Sequence, residues 1–341
     1  MSEQKLKPGE SELTRRQLLK VAFAGTTLAA SGLALANWLE TPTLSATTFI
    51  GKAASYNHNL VSVLLAGFQE LGVNPQEVKG KRILLKPNLV ETKQNAPHIN
   101  THPLVVRAVA EAFLHLGAAA VMVGEGPGHR RDTLQILEEA GLADVLYEDR
   151  IPFLNLNDRT GFSRPNAGQQ TSLPTLIFPD IFQEIDWVVS IAKLKTHHWA
   201  GVTLSMKNLF GVLPGLYYGW PKNVLHHAGI HESIVDITAT LRPHFAIVDG
   251  IIGMEGDGPI MGTPKSAGVI VMGRNLPAVD ATSARLMGIN PHKIPYLQRS
   301  SNWLGPIHEH HIHQRGEAIV ALQQNFNLLE KVSAHHGIRL S

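Results

Sequence analysis

Apolar positions change their spacing along the chain in a regular way. Over residues 57–72, Leu60, Val63, Leu64 and Phe68 recur at helical spacing and stop at Gly72, which predicts a helix. Residues 82–86 form a short apolar run halted by Pro87, the pattern of a buried strand. Residues 103–116 open with a proline and are followed by Gly117, the usual asymmetry of a complete helix. The same reading gives a strand at 119–124, a helix at 132–140 ended by Gly141, and a strand at 153–156. Strands then follow at 186–192, 245–249 and 269–272, with helices at 232–241 and 277–287.

This alternation predicts an α/β fold of mostly parallel sheets flanked by helices, in two lobes with a site between them. The N-terminal lobe would span 47–175 and the C-terminal lobe 176–325, leaving a tail at 326–341. Residues 41–55 read as a linker or first strand, and the polar segment 157–175 as a long surface loop. Residues 201–229 are glycine-rich and lack periodicity; loops of that length inside compact domains are usually functional.

The start of the chain has a different pattern. Arg15-Arg16, Leu18-Leu19 and Lys20 precede an uncharged, mostly apolar run over 21–35, with small residues at Ala34 and Ala36. That is the layout of a twin-arginine export signal over residues 1–36, with cleavage after Ala36 or an uncleaved anchor as the alternative. The run is short for a membrane span, and no second apolar stretch is long enough. The expected partner is the twin-arginine export machinery, and the expected location periplasmic or otherwise extracytoplasmic.

Composition narrows the chemistry. About 305 residues remain beyond the signal, enough for one large or two modest domains. A formal charge of +2 gives no electrostatic reason to expect nucleic acid. With no cysteine, the chain has no disulfide, thiolate metal site, iron–sulfur cluster or cysteine nucleophile. It is histidine-rich instead, with 18 histidines, and imidazole both binds metals and moves protons near neutral pH. Export in the folded state suits a protein whose cofactor or metal is loaded inside the cell.

Four polar clusters sit at strand ends or glycine-rich turns, where α/β proteins place their sites. Lys86-Pro87-Asn88 puts a lysine where it can reach an anion, or simply snorkel. Residues 124–131, including Glu125 and His129, form a ligand-facing turn that is neither a Walker loop nor a dinucleotide fingerprint. Lys193, Lys195, His197 and His198 lead into Ser205-Met206-Lys207-Asn208, a convergence of reactive types after a core strand; a solvated basic turn is the alternative. His226, His227 and His231 offer divalent-metal ligands, since 227 and 231 would share a face if helical, although Gly229 weakens that helix. Asp249 with Glu255 and Asp257 reads as a base, a metal site or turn chemistry. His308, His310, His311 and His313 read mostly as surface, with adventitious metal binding as the alternative.

Lys86-Pro87-Asn88, Lys193 to His197, Ser205 to Gly211, and Asp249-Gly250 with Gly258-Pro259 and Gly262 resemble domain-of-unknown-function family 362. Members of that family with a ferredoxin-like module carry cysteines absent here, so no iron–sulfur chemistry carries over. His197 to Gly201, Lys207 and Leu213-Pro214-Gly215 also resemble, more distantly, the nickel-pincer lactate racemase family. That resemblance implies a pyridinium-type nucleotide linked to Lys207 and His226 or His227 as a nickel ligand. It further implies His129 and His197 as proton-transfer groups around a 2-hydroxy acid, a small anionic ligand. The departures are Ser205-Met206, where a glycine pair is expected, and Asn100 to Pro103, the only counterpart of an Asp-x-Thr-Arg-Pro segment. Read together, Lys86, Asn88, Lys207 and Asn208 are the candidate cofactor-binding residues, and His129, Lys195 and His197 the candidate catalytic ones. The competing reading is a non-catalytic periplasmic protein that binds or delivers metal.

Overall fold

The computed structural model describes residues 44–92, 95–128 and 132–341. Residues 44–341 form one compact unit built on a nine-stranded sheet. Its strands are β1 (Ala46–Lys52), β2 (Arg82–Pro87), β3 (Ala120–Glu125) and β4 (Phe153–Asn155). A hairpin of β5 (Gly161–Pro165) and β6 (Thr175–Pro179) stands apart from it. The main sheet continues with β7 (Trp187–His197), β8 (Gly201–Thr203), β9 (Phe245–Glu255), β10 (Thr263–Gly273) and β11 (Ile312–Gly316). The order is β11-β1-β10-β9-β7-β2-β3-β4, with β8 pairing back onto β7. Pairings from β9 through β7, β2 and β3 to β4 are all parallel, whereas β10 runs antiparallel to both neighbours. The sheet is mixed and mostly parallel, as the α/β reading requires.

Buried parallel strands read as continuous apolar runs because helices cover both faces. Along β7, Trp187, Val189 and Ile191 join one core cluster and Val188, Ala192 and Leu194 the other. The helix Leu60–Glu70 begins at Asn59, whose side chain caps Ser62, and buries Leu60, Leu64 and Phe68. The helix Pro103–His115 crosses beside it and buries seven residues of the same face. The helices Ile230–Leu241 and Leu276–Leu286 cover the opposite face.

The expected division at 175/176 is not a division of the fold. β2 hydrogen-bonds β7 directly, so strands from both sides of that boundary share one sheet. The 157–175 segment is also not a free loop. It carries β5 and is pinned to the helix Ile230–Leu241, where Asp236 accepts from Asn166 Nδ2 at 2.7 Å, Gln170 N at 2.8 Å and Thr171 Oγ1 at 2.6 Å. The expected tail packs inward, with Phe326 and Ile338 buried in the core.

Topology fixes where a site belongs. From β2 the chain builds outward through β3 to β4, then returns to lay β7 and β9 on the other side of β2. The β2/β7 junction is thus a switch point, and ligands in open α/β sheets bind outside the carboxyl ends of strands at such a point.

Candidate functional site

A cavity of about 480 Å³ opens at that junction. Its floor begins with Lys86 near the end of β2 and Glu125 at the end of β3, with side chains only 1% and 2% exposed. Lys86 Nζ meets Glu125 Oε2 at 2.5 Å and also donates to Asn208 Oδ1 at 2.9 Å and Pro87 O at 2.7 Å. Burial pushes the Lys86 ammonium down and the Glu125 charge opposes that shift. Glu125 is held in turn by the amides of Leu89 and Gly126. Asn208 donates to Lys86 O and Ser190 Oγ, both at 3.0 Å, and accepts from Asn88 Nδ2 at 3.2 Å. A buried ion pair is tolerated only when its remaining valences are met, and here they are.

Lys207 stands above this floor on the short helix Ser205–Asn208. Asp280, from the helix Leu276–Leu286, fixes the start of that turn. It accepts from Ser205 N at 2.8 Å, Ser205 Oγ at 2.5 Å and Met206 N at 3.1 Å, and burial pushes its carboxyl up to about 7. Lys207 itself forms no hydrogen bond or ion pair among the described residues. Its Nζ lies 3.9 Å from the Phe210 ring centroid, a cation–π contact. Burial, helped by nearby Lys86, pushes its ammonium down to about 7.

Three histidines, His197, His198 and His226, complete the wall. His197 Nδ1 accepts from the amides of Trp199 at 3.0 Å and Ala200 at 3.2 Å. Burial and the Lys207 charge hold its pKa well below the ordinary histidine value. His226 sits on the helix Asn223–His227, where its Nδ1 meets Lys222 O at 3.0 Å. Its ring lies between Trp199 and Phe210, at centroid distances of 5.3 and 5.6 Å. Lys222 is buried at φ 68° and donates to Asn157 Oδ1 at 2.8 Å and to Leu213 O. Burial pushes its ammonium down to about 7 as well. Half-exposed Trp199 and largely exposed Met261 border the mouth, so the cavity is basic at its floor and apolar at its rim.

The family model "Domain of unknown function (DUF362)" matches residues 83–285, which include every element of this floor. The chain belongs to the DUF362 family. A thylakoid-associated protein of Synechocystis sp. is 29% identical over 247 residues, covering 70% of this chain and 73% of its own length. Among solved structures, the lactate racemase apoprotein of Thermoanaerobacterium thermosaccharolyticum aligns with a TM-score of 0.36 at 15% identity, over 60% of this chain and 50% of its own. A structural-genomics target protein from Thermotoga maritima aligns with a TM-score of 0.32 at 14% identity, over 64% of this chain and 55% of its own. The chain therefore spans about half the length of each of these two structures.

Within this DUF362 fold, Lys86, Asn88, His197, Lys207, Asn208 and His226 come together on the cavity. Lys195 lies beneath it, fully buried, donating to Ile99 O at 2.8 Å and Pro259 O at 3.3 Å. His129, with Arg130 and Arg131, lies outside the described residues. The expected triad of His226, His227 and His231 does not assemble. Gly229 at φ 111° ends one helix before the next begins at Ile230, so 227 and 231 share no helical face. His227 is exposed, and His231 faces a neighbouring hollow, also lined by His198, His226, Lys293 and His336. Among the described residues no group of three or more histidine or carboxylate side chains is placed to hold a metal ion.

Asp249 is likewise not a free base. It pairs with Lys193 at 2.6 Å, both side chains fully buried, and accepts from His102 N at 3.1 Å and Tyr56 OH at 3.3 Å. Asp257 borders the cavity and pairs with Lys331, while Glu255 pairs with Lys265. Sequence reasoning passed over Asn157, Lys222 and Asp280. Each stands in unremarkable local sequence, and its importance comes only from a partner brought in by the fold. Glu125 did carry a signal, since it closes a buried strand just as Lys86 does.

Proposed function

We propose that this cavity is the active site of a cofactor-dependent enzyme acting on a small hydroxy acid or a similar anion, with racemase- or oxidoreductase-like chemistry. The supporting observation is Lys207, an amine in a shaped cavity with no hydrogen-bond or ion-pair partner among the described residues and an ammonium pushed down to about 7. Structural lysines find carbonyls or carboxylates, as Lys86, Lys193, Lys195 and Lys222 all do. A lysine left without one, desolvated and half in its neutral form, is suited to covalent attachment or to holding an anion.

The donor set fits a lysine-linked nucleotide, because Lys207 is the attachable amine and the buried Asn88 Oδ1, on the same cavity, has no hydrogen-bond partner among the described residues. When bound, a pyridinium-type group would supply a hydride acceptor that no side chain here can provide. A divalent metal held by the protein alone does not fit, since no group of three or more histidine or carboxylate side chains among the described residues is placed to hold one. Nickel would require donors from the organic cofactor itself. The metal-delivery alternative is weakened for the same reason.

Within the cavity, the chain's own groups bind and orient. Lys207 and His197 attract the negative end of a ligand, the Lys86–Glu125–Asn208 network keeps the floor rigid, and the apolar rim limits water. We further propose that the protein leaves the cytoplasm folded, by way of the twin-arginine signal, with this pocket already filled. The deciding experiment is intact-mass and peptide mapping of protein purified from its own host. An added organic mass on the peptide bearing Lys207, lost in Lys207→Ala, is the expected result. An unmodified chain that binds no 2-hydroxy acid would end this reading.

A further inference from the structure

We infer that His197 is a fixed N–H donor that grips an oxygen of the bound anion, and that His226 presents a ring lone pair to the same ligand. The ligand half of this inference rests on the function proposed above; the assignment of the two rings does not.

The argument is hydrogen-bond arithmetic. Backbone amides can only donate, and two successive ones, from Trp199 and Ala200, converge on His197 Nδ1. A ring nitrogen receiving two N–H groups carries no proton, so the proton of the neutral ring sits on Nε2. Charging the ring would turn Nδ1–H against both amides, in a setting where burial, Lys207, His198 and Lys195 already disfavour the cation. Nε2 has no partner among the described residues, and His197 lines the cavity. It therefore offers an N–H and nothing else.

His226 is wired the other way. Lys222 O can only accept, so the 3.0 Å contact makes Nδ1 the protonated nitrogen. Nε2 keeps its lone pair, in a ring clamped by Trp199 and Phe210. The nearby charges are Lys207 and His227, which with burial hold His226 below the ordinary histidine value, so the lone pair stays available at neutral pH.

The ligand must match this polarity. It needs an acceptor oxygen for His197 and Lys207, and a donor hydrogen for His226. A 2-hydroxy acid carries both, whereas a plain carboxylate carries only the first. The paired-base arrangement of His129 and His197 implied by the racemase resemblance loses His197 as an acceptor.

The test uses the full chain labelled with ¹⁵N-histidine, followed by long-range ¹H–¹⁵N correlation from mildly acidic to mildly basic pH. His197 is expected to remain protonated at Nε2 across the range, and His226 at Nδ1. The reverse tautomer at His197 would overturn the inference. Lactate serves as the probe in a second arm. His197→Gln, whose amide N–H stands in for Nε2–H, should bind lactate within about threefold of the unaltered protein, while His197→Leu should lose about tenfold or more. Equal losses in the two variants would overturn the donor role. If the unaltered protein binds no lactate, the proposed substrate class falls while the ring assignment is still decided by the spectra.

Discussion

Gly211 leaves the space in which Glu125 meets Lys86. A Cβ at position 211 would stand 1.8 Å from Glu125 Oε1 and 2.7 Å from Lys86 Nζ. Gly211→Ala must therefore push the two charges apart in a place where neither can reach water. Separating a buried pair costs about 3–5 kcal/mol. Urea unfolding should show a loss of that size, and a loss under 1 kcal/mol would mean that the floor can relax.

Asp280 ties stability to pH. Its folded carboxyl titrates at about 7 against an ordinary value of 3.8, so the native state holds more protons than the unfolded chain between those values. Stability from this group is therefore fully present below about pH 4, falls as pH rises towards 7, and is level above that. Asp280→Asn should flatten that slope, by an amount on the order of 4 kcal/mol. Thermal unfolding from pH 4 to 8, on the variant and its parent, measures it.

Lys207 should be the fast-reacting amine. With a titration point at about 7, roughly half of it is neutral at pH 7, against about one part in three thousand of an ordinary surface lysine. Trace acetylation followed by peptide mapping should show its labelling rise through pH 7. In protein carrying a cofactor on that amine, the same peptide should resist labelling. Lys207→Met removes no hydrogen bond or ion pair to the described residues and relieves the cost of burying the ammonium, so the unfolding midpoint at pH 7 should rise.

The Lys193–Asp249 pair should behave as a unit. Lys193→Met leaves Asp249 buried with only Tyr56 and amides around it, and Asp249→Leu strands the ammonium. Each single change should cost about 3–5 kcal/mol, while the double variant should recover much of that loss. A strictly additive double-mutant cycle would show that the charges are not coupled.

Export is tested apart from the fold. Replacing both Arg15 and Arg16 with lysine should hold the protein in the cytoplasm, as read by fractionation against a periplasmic marker. Unchanged export would remove the twin-arginine reading and leave the cavity unaffected.

The elements that sequence revealed are those whose cause is local. Strands such as β2 and β3 announce themselves as apolar runs stopped by a proline or a glycine-rich turn, and Asn59 and Asp132 sit where helix caps belong. Lys86, Lys207 and Asn208 stood out because reactive side chains follow core strands. What stayed hidden depends on distance along the chain. Nothing near Asp280 shows that it caps a turn 75 residues earlier, and nothing near Lys222 points to Asn157. The histidine triad failed for a local reason that was visible: Gly229 was seen to weaken the helix, and it does end it.

The β2–β7 pairing also bears on how the chain can be cut. A fragment ending at 175 would keep β2 but present its open edge to water, with Lys86 lacking Asn208 above it. A fragment starting at 176 would hold Lys207 over a missing floor. Neither half is an autonomous module. Mixed together, however, the two pieces have every reason to find each other, because each carries the edge that the other lacks. That makes 175/176 a place to split the protein into a reporter that regains its pocket only on reassembly.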